Sequence, residues 1–187
     1  MKKIILSGIV LLLVTTLFAQ HSNVHFGIKA GANFASMKNG EINTDSKAGL
    51  NVGGLAHIHL SKTFAIQPEV VFSMQGGTHE NGDKNKFNYL NVPVLAQYMF
   101  GEGFRVQTGP QLGLLLSAKN EINGVEVDID DLLKKSDFGW AFGASYITKQ
   151  GIGIDGRYNL GITSISKNDF ELKNRVWQVG LFYQFKH

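Results

Sequence analysis

Polar and apolar residues alternate along most of this chain. In the closing stretch "RVWQVGLFYQFKH" (175–187), Trp177, Val179, Leu181, Tyr183 and Phe185 are large and apolar. Gln178, Gly180, Gln184 and Lys186 between them are polar or small. A period of two is that of a β-strand, whose successive side chains leave on opposite faces. The same alternation predicts eight strands, near 24–35, 47–60, 63–75, 86–100, 103–117, 136–148, 151–162 and 174–187. No segment carries an amphipathic helix longer than a turn or two.

The connections between these strands are of two kinds, and they alternate. "SMKNGEINTDS" (36–46), "GGTHENGDKN" (76–85), "AKNEINGVEVDIDDLLKK" (118–135) and "TSISKNDFELK" (163–173) are long, polar and charged. Tight turns at 61–62, 101–103 and 149–150 separate them. Short turns at one end and long loops at the other characterise outer-membrane barrels.

The phase of the alternation decides which face meets what. One face collects Phe64, Ile66, Val70, Phe72 and Met74; Leu90, Val92, Val94, Tyr98 and Phe100; Phe104, Val106, Leu112, Leu114 and Leu116. It continues with Phe138, Trp140, Phe142 and Tyr146, then Ile152, Ile154, Tyr158, Leu160 and Ile162, and carries no charge. The other face holds Gln67, Glu69, Asn91, Gln97, Arg105, Gln107, Gln111, Asp155, Arg157, Asn159, Gln178 and Gln184. An eight-stranded lumen has little room for large side chains, so the apolar set is predicted to face lipid. Glycines four apart (Gly27/Gly31, Gly49/Gly53, Gly109/Gly113, Gly139/Gly143) fall on the polar face, where they relieve crowding and allow curvature. Aromatics gather at both ends of the apolar face, as expected of two interfacial bands.

Three prolines interrupt this regularity. Pro68, Pro93 and Pro110 fall inside predicted neighbouring strands at about one height, and each removes a ladder hydrogen bond. They predict a bulged or locally unpaired belt, across which the phase of those strands can slip by one.

The N-terminus is of a different kind. Lys2 and Lys3 precede the apolar run "IILSGIVLLLVTTLF", which ends at Ala19-Gln20. A basic region, an apolar region and a small residue predict a secretory signal peptide at 1–19 and a single barrel domain at 20–187. Of 18 Lys and Arg and 15 Asp and Glu, two lysines leave with the leader, so the mature charge is 16 against 15, or +1. The basic balance of the whole chain therefore gives no support to nucleic-acid binding. The absence of cysteine excludes a disulfide framework and a lipoprotein anchor on cysteine. No later segment has 18 consecutive apolar residues, so a membrane-integrated form must be a closed barrel.

Candidate chemistry is sparse. Lys29, Glu69, Asp155 and Arg157 fall at similar heights on the inward face, and buried charges of this kind should pair. They are read as a structural cluster that plugs the lumen, with a gated conduit as the functional alternative. His57 and His59 face the same way and could share a metal, but no third ligand is identifiable. Glu126, Asp128, Asp130 and Asp131 crowd the longest loop without the spacing of a calcium loop, and read as a solvated acidic loop. There is no Gly-x-Ser-x-Gly motif, no phosphate loop and no Ser/His pair on the lipid-facing side. No catalytic residue, cofactor or metal is assigned.

Several segments carry a family resemblance. "QPEVVFSMQGG", "YLNVPVLAQYMF", "GPQLGLLLSAK" and "GIGIDGRYNLGITSI" resemble the strand motifs of the PorT-like outer-membrane β-barrel proteins of Bacteroidetes-type bacteria. "FGIKAGANFASM" is similar to their first strand, and the resemblance spans nearly all of the mature chain. It implies an eight-stranded outer-membrane barrel and brings no catalytic residues with it. The chain departs from many outer-membrane proteins in ending Phe185-Lys186-His187 rather than on the aromatic.

The expectation is an all-β protein: an eight-stranded antiparallel transmembrane up-and-down barrel of the bacterial outer membrane, with short periplasmic turns and long extracellular loops. Its expected role is non-enzymatic, and structural, adhesive or secretion-associated. The alternatives are a lipid-modifying barrel enzyme and a soluble lipocalin-like carrier. Expected partners are outer-membrane lipid, the barrel assembly machinery during biogenesis, and an extracellular or envelope protein met through loops 36–46, 76–85, 118–135 and 163–173.

Overall fold

The computed structural model describes residues 23–39, 42–43, 45–78, 83–122, 124–167 and 171–185; the predicted signal peptide and the last two residues lie outside them. Ten strands follow in chain order: β1 (Val24–Asn39), β2 (Ile42–Asn43), β3 (Asp45–His59), β4 (Phe64–Thr78), β5 (Lys84–Phe100), β6 (Phe104–Ile122), β7 (Val125–Asp128), β8 (Ser136–Ile147), β9 (Ile152–Gly161) and β10 (Leu172–Gln184). Eight of them form the wall, each antiparallel to its chain neighbour, in the order β1-β3-β4-β5-β6-β8-β9-β10. β10 returns to β1, from Gly27 opposite Gln184 to Asn39 opposite Leu172, and closes the barrel. β2 pairs only the tip of β1, and β7 only the far end of β6.

The wall is taller at the long-loop end than the alternation suggested. β6 runs 19 residues to Ile122 rather than ending near 117, and forms a hairpin with β7 there. At the other end, residues 101–103 turn through two glycines with positive φ, Gly101 (+61°) and Gly103 (+109°). Only glycine takes such angles without strain. A side chain at Gly103 would also run into the Ile147 carbonyl.

Burial confirms the phase of every wall strand. Trp177, Val179 and Leu181 are 60%, 57% and 61% exposed, while Gln178 between them is 5% exposed. Large exposed apolar side chains occur on every strand of the wall, a continuous apolar belt far beyond what a water-facing monomer shows. Aromatic pairs band its short-turn edge: Phe64 with Tyr98, Phe100 with Phe104, and Tyr183 with Phe185. Tyr158 and Trp177 stack nearer the long loops.

The prolines open the ladder without shifting it. β4 and β5 pair up to Pro68 opposite Val94 and resume at Val71 opposite Asn91 in the same register. β5 and β6 pair at Pro93–Gln111 and resume at Ala96–Thr108, again in register. A missing N–H removes a rung, but the side chains keep alternating, so no slip of phase occurs. The one irregularity in β5–β6 lies higher, between Asn88 and Tyr89.

The lumen also holds an apolar layer that the alternation did not indicate. Phe87, Tyr89, Leu115, Met37 and Ala118 point inward at the long-loop end and form one buried cluster with Leu133 and Ile165 from two of the long loops. The loops are tied over the opening by a bridge between Leu133 and Ser166 and by hydrogen bonds from Lys134 N to Ile165 O (2.8 Å) and from Lys167 N to Leu132 O (3.1 Å). Lower down, Leu55, Leu95 and Phe182 are also buried. Phe182 fits because it lies directly across from Gly153 and its ring occupies the space a side chain would take there. Glycine opposite an aromatic is how a narrow lumen admits a large ring.

Candidate functional site

The lumen is layered, and its middle layer is ionic. Glu69 on β4, Lys29 on β1, and Asp155 and Arg157 on β9 all point inward and are almost fully buried. Arg157 donates Nη1 to Glu69 Oε2 and Nη2 to Glu69 Oε1, both at 2.9 Å. Lys29 Nζ lies 3.0 Å from Asp155 Oδ2 and 3.4 Å from Glu69 Oε2. Arg157 Nη2 also reaches Asp155 Oδ2 at 3.4 Å, and Gln67 Nε2 donates to Glu69 Oε1 at 2.8 Å. Two cations thus face two anions, so the cluster is neutral as a whole and each carboxylate has donors from more than one strand. Glu69 leaves β4 from the stretch beside Pro68 that is unpaired to β5, while on the other side its backbone stays paired to Leu55 of β3.

An amide layer lies above it, toward the long loops. Asn33 Nδ2 donates to Ser73 Oγ (2.9 Å), while its Oδ1 accepts from Asn51 Nδ2 (2.7 Å) and Gln178 Nε2 (3.0 Å). A cavity of about 10 Å³ lined by Gln75, Asn91, Gln111, Asp137 and Asn159 completes the layer. Asn91 and Asn159 each keep unpartnered polar atoms, which suits a single bound water.

Below the ionic layer lies a third polar one. Arg105 Nη2 donates to Gln184 Oε1 at 3.3 Å, and Gln97 Nε2 to Gln107 Oε1 at 2.8 Å. His57 is fully buried beside Gln67, with Nδ1 3.3 Å from Oε1. His59 packs edge-on against both His57 (4.5 Å between centroids) and His25 (5.4 Å). His25 escaped sequence reasoning because only the β1–β3 register, which sets it opposite His57, brings it there. Among the described residues no three His, Asp or Glu side chains stand in an arrangement that could hold a metal.

The acidic loop residues are spent on local structure. Glu126 accepts from Lys86 (2.7 Å) and Lys119 (2.8 Å), which hold its carboxyl down at about 2. The hydrogen bond from Lys119 is the largest cause. Asp130 pairs with Lys135 at 2.8 Å and accepts from the Ala118 N–H, and Asp128 Oδ1 accepts from Asp130 N at 2.9 Å. Asp131 uses its backbone carbonyl to hold Lys167.

A closed eight-stranded antiparallel barrel, apolar outside and charged within, is the architecture of a bacterial outer-membrane protein. The chain belongs to the family described as "Outer membrane protein beta-barrel domain", whose model matches residues 18–167, and it resides in the bacterial outer membrane. Two solved structures show the same fold. The attachment invasion locus protein Ail of Yersinia pestis, solved in complex with the heparin analogue sucrose octasulfate, superposes with a TM-score of 0.55 at 17% identity, covering 87% of this chain and 99% of Ail. Neisserial surface protein A superposes with a TM-score of 0.58 at 13% identity, covering 86% of this chain and 97% of that one. No curated protein sequence matches the chain. The narrower resemblance to the PorT-like proteins stays a resemblance, since the matched family is the broader one.

Proposed function

We propose that this protein is a sealed, non-enzymatic barrel that displays its long loops to the outside as a binding platform for an extracellular or envelope protein. The observation that carries this reading is the closure of the lumen at successive levels: the Glu69–Arg157 layer, the Asn33 layer, and the apolar cap of Tyr89, Phe87, Leu133 and Ile165. A conduit needs a continuous wet path, and fully buried ion pairs bridging β1, β4 and β9 argue against one. The described histidines, His25, His57 and His59, crowd together at the short-turn end of the lumen, away from the lipid-facing wall on which acyl-chain chemistry would need a base. On this reading residues 1–19 direct secretion and are removed, and the barrel assembly machinery inserts residues 20–187 with the short turns in the periplasm.

Two measurements test it together. Planar-bilayer recordings of the purified protein should show no steady conductance. A tag at Gly124, an exposed turn residue in the β6–β7 hairpin, should be labelled on intact cells, and a tag at Glu102 should not. Stable ion currents would overturn the sealed reading, and labelling at Glu102 alone would reverse the orientation.

A further inference from the structure

The outward face of the β1–β10 seam changes character at the long-loop end. From the short turns upward it reads Ile28 opposite Tyr183, Ala30 opposite Leu181, Ala32 opposite Val179 and Phe34 opposite Trp177. The next outward pair is Ser36 opposite Arg175, and the one after it is Lys38 opposite Lys173. At about 3.4 Å per residue, Arg175 lies about 7 Å and Lys173 about 14 Å along the strand beyond the Trp177 aromatic band. Three cations therefore gather on the outward face of the seam, just beyond the aromatic band at its long-loop end.

Among the described residues, Lys173 alone of the three has a counter-charge. Like charges directly opposite across a strand pair are destabilising. Lys173 has one acidic neighbour, Glu171 at 3.1 Å, itself mostly in solvent. Lys38 and Arg175 have no ion pair or side-chain hydrogen bond among the described residues, although both are half-buried. The three cations and Glu171 line an open depression of about 390 Å³ together with Leu160, Gly161 and Ile162. An anionic headgroup carrying acyl chains would match both halves of that surface: charge above, hydrocarbon below.

We propose that Lys38, Lys173 and Arg175 form a binding site for the phosphate group of a phosphorylated glycolipid in the outer leaflet, with Leu160 and Ile162 against its acyl chains. Arg175 is the member able to grip the phosphate through two nitrogens, and the two lysines act as point charges. Such a lipid would sit on the closing seam and relieve the Lys38–Lys173 repulsion, which the solvent-exposed Glu171 offsets only in part.

The test uses the full barrel in zwitterionic nanodiscs and three probes: diphosphorylated lipid A, chemically dephosphorylated lipid A, and phosphatidylglycerol. Retention is counted by native mass spectrometry. The wild type should hold diphosphorylated lipid A. The K38Q/R175Q variant should hold it about tenfold or more weakly, given the worth of two basic residues at an anionic surface. K62Q, at the opposite rim, should leave retention unchanged. Because the double variant removes like charges, it should still run as a compact barrel on an unheated gel, and R175Q alone provides the same comparison if it does not. Equal retention by K38Q/R175Q or R175Q and the wild type overturns the site. So does equal retention of the dephosphorylated lipid, which would mean apolar contact alone. Phosphatidylglycerol held as tightly as lipid A would replace the glycolipid site by a general anionic surface.

Discussion

Arg157 on β9 meets Glu69 on β4 through two parallel hydrogen bonds of 2.9 Å, across the interior of the barrel and with almost no solvent contact at either side chain. The two residues are 88 apart in the chain, and no neighbouring strand pair joins β4 to β9. This bond therefore braces opposite walls, a job the backbone ladder cannot do.

Breaking it on one side should be costly. Glu69→Ala leaves Arg157 and Lys29 with Asp155 alone, and an uncompensated buried charge typically costs about 3 to 5 kcal/mol. The temperature at which the barrel stops migrating as a compact species on unheated gels should fall accordingly. Adding Arg157→Ala should recover part of the loss. A double variant as unstable as the single one would argue against charge pairing as the cause.

The two faces of β10 should respond differently to substitution. Val179→Arg places a charge in the apolar belt and should cost about 2 to 4 kcal/mol if the site is near the bilayer midplane. Gln178→Ala, one residue away, loses only the hydrogen bond to Asn33 and should cost about 1 kcal/mol. Reversible unfolding from lipid vesicles in urea measures both, and equal costs would sink the assignment of faces.

Gly153 and Phe182 should behave as a coupled pair. Gly153→Ala drives a methyl group into the Phe182 ring, and overpacking of this kind costs about 1 to 3 kcal/mol. Phe182→Leu in the same chain should return much of that loss, although Phe182→Leu alone should destabilise. Additive effects in the double-mutant cycle would contradict the packing described.

The hairpin beyond the membrane carries a pH signature. Lys119 and Lys86 hold Glu126 ionised down to about 2, against an ordinary value of 4.5. A carboxyl depressed by folding contributes its stabilisation above the unfolded value and loses it as pH falls through the folded one. The pairing should therefore persist at pH 4 and fail near pH 2. Carboxyl chemical shifts of Glu126 should titrate there, and move back toward the ordinary value in the K86Q/K119Q variant.

Much of this protein was legible in its alternation. The eight strands of the wall and the face of Trp177, Val179 and Leu181 follow from a period of two, because the pleat sends neighbouring side chains to opposite sides whatever the tertiary structure. The short β2 and β7 fall within the predicted loops instead. The heights of Lys29, Glu69, Asp155 and Arg157 could likewise be counted from the turns, since antiparallel neighbours with short connections keep register. Closure decided the rest. Only the pairing of β10 with β1 makes a common interior in which Arg157 can reach Glu69, and only the β1–β3 register sets His25 beside His57 and His59. The apolar cap was invisible for the same reason. Phe87 and Tyr89 fall on the face that is polar lower in β5, and they become buried only when Leu133 and Ile165, from loops 32 residues apart in sequence, fold over them. A local pattern reports which way a side chain points; what it meets there is set by chain segments far away in sequence.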